Sequence, residues 1–228
     1  MESTASEFDP RDRKKFYFHA TPLRKGVIAA LRAFFFLVTD RRVEGLENFP
    51  LEGPAIVAAN HVTNFDVFPM QLSLPRPIFY MGKAELFKNP VSDFFFRSLG
   101  AFPVTRDKKD PWAYNHALKV LARGQVLGMF PEGTRSRGRG LGVARTGAAR
   151  MAIETNAPII PMAIIGSDTF FRRFPRRTRV SVRLLSPILP LPGETALALT
   201  DRLMFALADA LPAEMRGVYA EAPKGFGG

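Results

Sequence analysis

His61 and Asp66 are the residues whose types and spacing most directly suggest chemistry. They lie in Pro54-Ala-Ile-Val-Ala-Ala-Asn60-His61-Val62-Thr63-Asn64-Phe65-Asp66, where the apolar run Ile56 to Ala59 reads as a short buried strand introduced by Gly53-Pro54. In one continuous helix a five-residue offset would turn the two side chains roughly 140° apart. With His61 on the turn after the strand and Asp66 in the first turn of a following helix, they converge instead. The carboxylate then keeps one imidazole nitrogen protonated and leaves the other free to take a proton, as a general base requires.

A second constellation, Phe130-Pro131-Glu132-Gly133-Thr134-Arg135-Ser136, follows a buried strand expected over Gln125 to Phe130. Gly133 lets a ligand approach the backbone closely, and Arg135 adds a forked cation. Arg106 stands at the end of another expected strand, Ala101 to Thr105, and a third such strand leads to Lys83. In α/β sheets, ligands gather at the carboxyl ends of strands, and paired arginines suit a phosphate monoester. Structural alternatives exist for each. Arg106 could be a solvated charge among Asp107, Lys108, Lys109 and Asp110, and Glu132 could pair with Arg135 to shape its loop.

Together the two motifs resemble the glycerolipid acyltransferase family (lysophosphatidic acid acyltransferases and relatives), whose hallmarks are NHxxxxD and FPEGTRS. The resemblance spans residues 40–190, with Gly100 to Arg106 matching a second motif and Ala157 to Pro161 a fourth. It implies catalysis by His61 and Asp66. It also implies a substrate-binding set of Asn60, Thr63, Lys83, Arg106, Glu132, Gly133, Thr134, Arg135, Arg145 and Pro161. Arg145 stands where the family usually has lysine, and Thr63 where serine is common. The implied reaction moves a fatty acyl group from a thioester, acyl-CoA or acyl-carrier protein, to the hydroxyl of a lysophospholipid, giving phosphatidic acid. No cofactor and no metal is expected.

At 228 residues and 46% hydrophobic the chain suffices for one α/β domain with its own core. The absence of cysteine removes disulfides, thiolate zinc sites and any cysteine nucleophile. A net charge of +11 favours anionic partners. No secretory signal is evident, and the apolar stretches fall far short of a spanning helix, so peripheral or monotopic attachment to the cytoplasmic face of a membrane is expected.

The elements that must position these residues alternate. Strands are expected at 42–46, 56–59, 78–81, 101–105, 125–130, 159–165 and 179–185, and helices at 23–39, 67–74, 91–99, 110–123, 143–155 and 196–211. This gives an α/β fold with a largely parallel or mixed central sheet flanked by helices, plus an N-terminal amphipathic helix. Residues 1–40 form an N-terminal segment, 41–215 the acyltransferase domain and 216–228 a frayed tail. Residues 1–20 read as loose, with Phe16, Tyr17 and Phe18 as interfacial anchors. On the wheel of 23–39, Leu23, Val27, Ala30, Leu31, Phe34, Leu37 and Val38 share an arc of about 120°. Phe35 and Phe36 widen that face, and Arg24, Lys25 and Arg32 cluster elsewhere. Such a helix either docks on the core or lies in a membrane interface. A reading from another class is a nucleic-acid or anionic-surface binding protein, using Arg172, Arg173, Arg176, Arg177, Arg179 and Arg183 among Phe170, Phe171 and Phe174. The motifs favour the enzyme, with no nucleic-acid partner.

Overall fold

The computed structural model describes residues 9–105, 109–170, 172 and 175–221. Seven strands form one sheet: β1 (Thr39–Glu44), β2 (Ala55–Ala59), β3 (Ile78–Lys83), β4 (Ala101–Val104), β5 (Val126–Met129), β6 (Ile159–Ile165) and β7 (Thr178–Leu184). Their order is β1-β7-β6-β2-β5-β3-β4. Every neighbouring pair is parallel except β6 and β7, which run antiparallel because no crossover helix separates them. The sheet is therefore mixed.

β2 lies between β5 and β6 and is buried along its whole length, which explains its unbroken apolar run. Ala55, Val57 and Ala59 face the side covered by α1 (Pro22–Val38) and α2 (Val67–Leu72), with Phe35 and Met70 in the same cluster. Ile56 and Ala58 face α4 (Pro111–Ala122), α5 (Gly147–Thr155) and α6 (Ala196–Ala210). α3 (Pro90–Ser98) leads into the edge strand β4. Helix starts follow their caps: Thr21, Asn89, Asp110 and Thr195 each accept a bond from the first turn. Among the described residues no helix is long and apolar enough to cross a membrane.

Three expectations need correction. Residues 9–20 are not loose: Arg11 forks onto Asp110 at 2.7 and 2.9 Å, and Lys14 reaches Asp93 at 3.0 Å. Phe16 and Phe18 are packed against His116 rather than free as anchors. The helix expected from Val143 starts only at Gly147; the segment before it is held against the rest of the chain, with the N–H of Ala144 on the Tyr219 hydroxyl and that of Arg145 on the Pro131 carbonyl. Through Tyr219 the tail is docked rather than frayed: Leu141 donates its N–H to the Met215 carbonyl and accepts the N–H of Val218.

α1 lies where expected but is rolled about its axis. Its inward side is Arg24, Ile28, Leu31 and Phe35, while Leu23, Phe34, Phe36 and Leu37 point outward. Arg24 is 2% exposed, bonded to Gln71 Oε1 at 3.0 Å and to the Ile78 carbonyl, and its guanidinium sits 4.8 Å from the Phe79 ring. Burial without a carboxylate partner pulls its pKa down to about 10. Arg24 therefore does not belong to an exposed basic flank.

Candidate active site

The turn after β2 brings His61 and Asp66 together. Asp66 ends a one-turn 3-10 helix, Asn64–Asp66, that Thr63 caps in a capping box. That turn directs the carboxylate back toward the strand end, and His61 Nδ1 stands 2.8 Å from Asp66 Oδ2. The same oxygen accepts the N–H groups of Val62 at 2.7 Å and Thr63 at 2.8 Å. An oxygen already receiving two N–H donors acts as an acceptor, so the third partner, Nδ1, carries hydrogen and Nε2 is the nitrogen left out of this contact. Asp66 is 0% exposed and His61 8%, with the Phe130 ring stacked on the imidazole at 3.9 Å. Ser167, from the turn after β6, donates its hydroxyl to Asp66 Oδ1 at 2.5 Å.

The loop after β5 meets the same strand end. Glu132 is buried and does not pair with Arg135. Its Oε1 accepts the N–H of His61 and its Oε2 the N–H of Gly142, both at 2.8 Å. Burial pushes the Glu132 carboxyl above its usual range, and those two N–H donors act against that rise. Ser136 N–H donates to the His61 carbonyl at 2.7 Å, so the two loops are stitched together by backbone as well. Gly133 adopts φ 67°, and a Cβ there would meet Arg145 Nε at 3.0 Å. This is where glycine is needed, and it lays the Arg145 guanidinium beside the motif. Arg135 Nη1 reaches Asn64 Oδ1 at 2.8 Å, which holds that cation two residues from Asp66. Thr134 is exposed.

Other expected site residues have structural work. Asn60 is buried, donating to the Ile164 carbonyl and accepting the Ile164 N–H, each at 2.8 Å. Through these two bonds its amide latches β2 to β6. Thr63 caps the turn that carries Asp66. Pro161 is buried inside β6, paired with Ala58, and not at the strand end. Lys83, at the end of β3, pairs with Glu85 at 3.2 Å. Arg106 lies outside the described residues, although Thr105 just before it donates its N–H to Asp110. Ser167 had no motif to announce it; the glycine before it at a strand end was the single hint. A groove of about 610 Å³ lined by residues 184–189, Leu191 and Arg202 lies at the opposite ends of these strands, away from the dyad. Among the described residues no cluster of three or more His, Asp or Glu could hold a metal ion.

Part of the basic, phenylalanine-rich segment is engaged within the fold, while Arg172, Arg176 and Arg179 are exposed. Phe170 is buried, 5.4 Å from the Phe35 ring and 5.6 Å from Phe65. Arg177 donates to the carbonyls of Thr39 and Phe36, and Arg183 pairs with Glu44. Phe171, Arg173 and Phe174 lie outside the described residues.

Comparison with known proteins agrees with this geometry. A family model described as Acyltransferase matches residues 40–165, more than half of the chain. A 1-acyl-sn-glycerol-3-phosphate acyltransferase of Bacillus subtilis (strain 168) is 33% identical over 141 residues, 61% of this chain and 70% of that protein. The protein of that name from Borreliella burgdorferi is 30% identical over 131 residues, but the chain spans only 52% of its length. The crystal structure of the 1-acyl-sn-glycerophosphate acyltransferase PlsC from Thermotoga maritima superposes with a TM-score of 0.63 at 25% identity, covering 82% of this chain and 80% of that one. The matched span contains the His61–Asp66 turn and the Glu132 loop stitched to it, and it places this chain in the Acyltransferase family, as an acyltransferase enzyme.

Proposed function

We propose that the chain acylates lysophosphatidic acid, taking a fatty acyl group from acyl-CoA or acyl-carrier protein and yielding phosphatidic acid. The observation that carries the reading is the 2.8 Å contact of His61 Nδ1 with a carboxylate beside a loop bearing Arg135 and Arg145. An alcohol has a pKa near 15 and is a poor nucleophile, whereas imidazole titrates near neutrality. His61 Nε2 removes the hydroxyl proton as the oxygen attacks the thioester carbonyl, and Asp66 stabilises the resulting imidazolium. Collapse of the tetrahedral intermediate breaks the C–S bond, and the leaving thiolate takes the proton back from His61. With no cysteine and with the nucleophile supplied by the acceptor, direct transfer is simpler than a covalent acyl-enzyme. Arg135 and Arg145, with Arg106, bind the acceptor phosphate.

The outward residues of α1 favour attachment to an anionic membrane surface. Phe36 and Leu37 are 71% and 70% exposed, and Lys25 and Arg32 lie on the same helix. Ring contacts run from Phe34 through the buried Phe35 and Phe170 to Phe65 on the catalytic turn, so the helix is packed against the element that carries the site. A matrix of acyl-CoA and acyl-carrier-protein donors against lysolipids with and without a phosphomonoester, read by lipid separation, tests the reading. Fastest turnover on lysophosphatidic acid is expected; preference for a phosphate-free acceptor would overturn the assignment.

A further inference from the structure

Among the described residues, every donor to the Asp66 carboxylate comes from its own turn except one. Oδ2 receives His61 Nδ1 and the N–H groups of Val62 and Thr63, whereas Oδ1 receives Ser167 Oγ at 2.5 Å and only a long 3.4 Å contact from Thr63 Oγ1. Asp66 is wholly buried and Ser167 1% exposed, so no solvent replaces a missing donor cheaply. A carboxylate bound through one oxygen can turn about its Cβ–Cγ bond, and the second anchor removes that freedom.

The placement of Ser167 is specific. It follows Gly166, whose φ is 89° and where a Cβ would run into the Arg179 carbonyl. That left-handed residue reverses the chain as it leaves β6, and Thr169 closes the turn by donating both its N–H and its hydroxyl to the Gly166 carbonyl. The Asn60–Ile164 latch ties the ends of β2 and β6 together, which fixes the separation between the Ser167 turn and the Asp66 turn.

We propose that Ser167 is a positioning residue for the acyl-transfer reaction, its hydroxyl holding the Asp66 carboxylate in the orientation that aligns His61. This rests on the proposed role of His61 as base, but not on which lysolipid is the acceptor. The chemistry follows from geometry: with Oδ1 held by the Ser167 hydroxyl, the carboxylate keeps Oδ2 facing the imidazolium formed in the transition state.

The test is a double-mutant cycle on the full chain, with whichever donor and lysolipid the wild type turns over fastest. Ser167→Ala is expected to lower kcat by about tenfold to a hundredfold, the loss of one charge-assisted hydrogen bond. KM for both substrates should stay within about twofold, since Ser167 touches neither. On a His61→Ala background the same substitution should cost less than about twofold, because no imidazole remains to align. Ser167→Cys, near in shape but a weak donor, should repeat the kcat loss and guards against a folding defect in the alanine variant. An unchanged kcat in both variants, or an equal loss with and without His61, would overturn the positioning role. If His61→Ala alone kept wild-type turnover, the base assignment would fall first, which separates the two failures.

Discussion

Two histidines of this molecule look alike by burial and differ in everything that makes a base. His61 is 8% exposed and His116 7%, and each is stacked on an aromatic ring, Phe130 at 3.9 Å and Trp112 at 4.9 Å. His61 stands at the carboxyl end of a central strand with a carboxylate on Nδ1. His116 sits within α4, among Phe16, Phe18, Phe102 and Trp112. Among the described residues no hydrogen bond reaches its ring. Burial, helped by the nearby charges of Lys119 and Arg123, drives its pKa down to about 4, so it remains a neutral packing residue at pH 7. What fits a buried imidazole for the proposed role of base is the partner and the strand end, not the burial.

The comparison can be broken most sharply at Asp66. Asp66→Asn presents an amide to the N–H groups of Val62 and Thr63 and removes the charge opposite His61, so kcat should fall by about a thousandfold or more in steady-state acyl transfer. Glu132→Gln comes next. Both its oxygens accept backbone N–H groups, and an amide can satisfy only one of them, leaving the His61 or Gly142 donor facing another donor. A destabilisation of about 1–3 kcal/mol in urea unfolding is expected, with kcat lowered by about tenfold as the His61 backbone shifts. Arg135→Ala should chiefly raise KM for a phosphate-bearing acceptor, by about tenfold, and leave a phosphate-free one unaffected; an equal effect on both would contradict the phosphate site.

The smallest effect concerns the second histidine. A His whose folded pKa is depressed from 6.5 to about 4 contributes stability that is complete above pH 6.5 and is lost as pH falls toward 4. His116→Leu should flatten the thermal midpoint across that window and leave turnover near the wild-type value. Asp110 acts lower on the scale. Burial would raise its carboxyl, but hydrogen bonds from Arg11 and from the N–H groups of Thr105 and Ala113 hold it at about 2. Its share of stability is therefore present above the ordinary carboxyl pKa of about 3.9 and lost from there down to about 2.

Much of this was legible in the sequence, for local reasons. Ile159 to Ile165 is a strand to the residue, because a continuous apolar run between Pro158 and Gly166 admits little else. The approach of His61 to Asp66 could be read because a strand end and a helix start frame five residues. The face of α1 could not. Its apolar residues run most of the way round, so the wheel alone does not say which side packs, and the arginine at position 24 sits in the core against the rule that charge stays outside. Gly100 gives the tertiary reason: a Cβ there would strike Arg24 Nη1, so the strand entry and the buried guanidinium require each other. Ser167 was invisible for a similar cause, lying 101 residues from Asp66 with no local pattern linking them. The bond of Glu132 to His61 also arises only when β5 is set beside β2.

The most direct test replaces the base itself. His61→Ala and His116→Ala are purified, shown to be folded by circular dichroism, and compared for transfer of a radiolabelled acyl group from a thioester to lysophosphatidic acid. The account predicts that His61→Ala loses at least about a thousandfold in kcat while His116→Ala stays within about tenfold of wild type. Near-wild-type turnover by folded His61→Ala would contradict it.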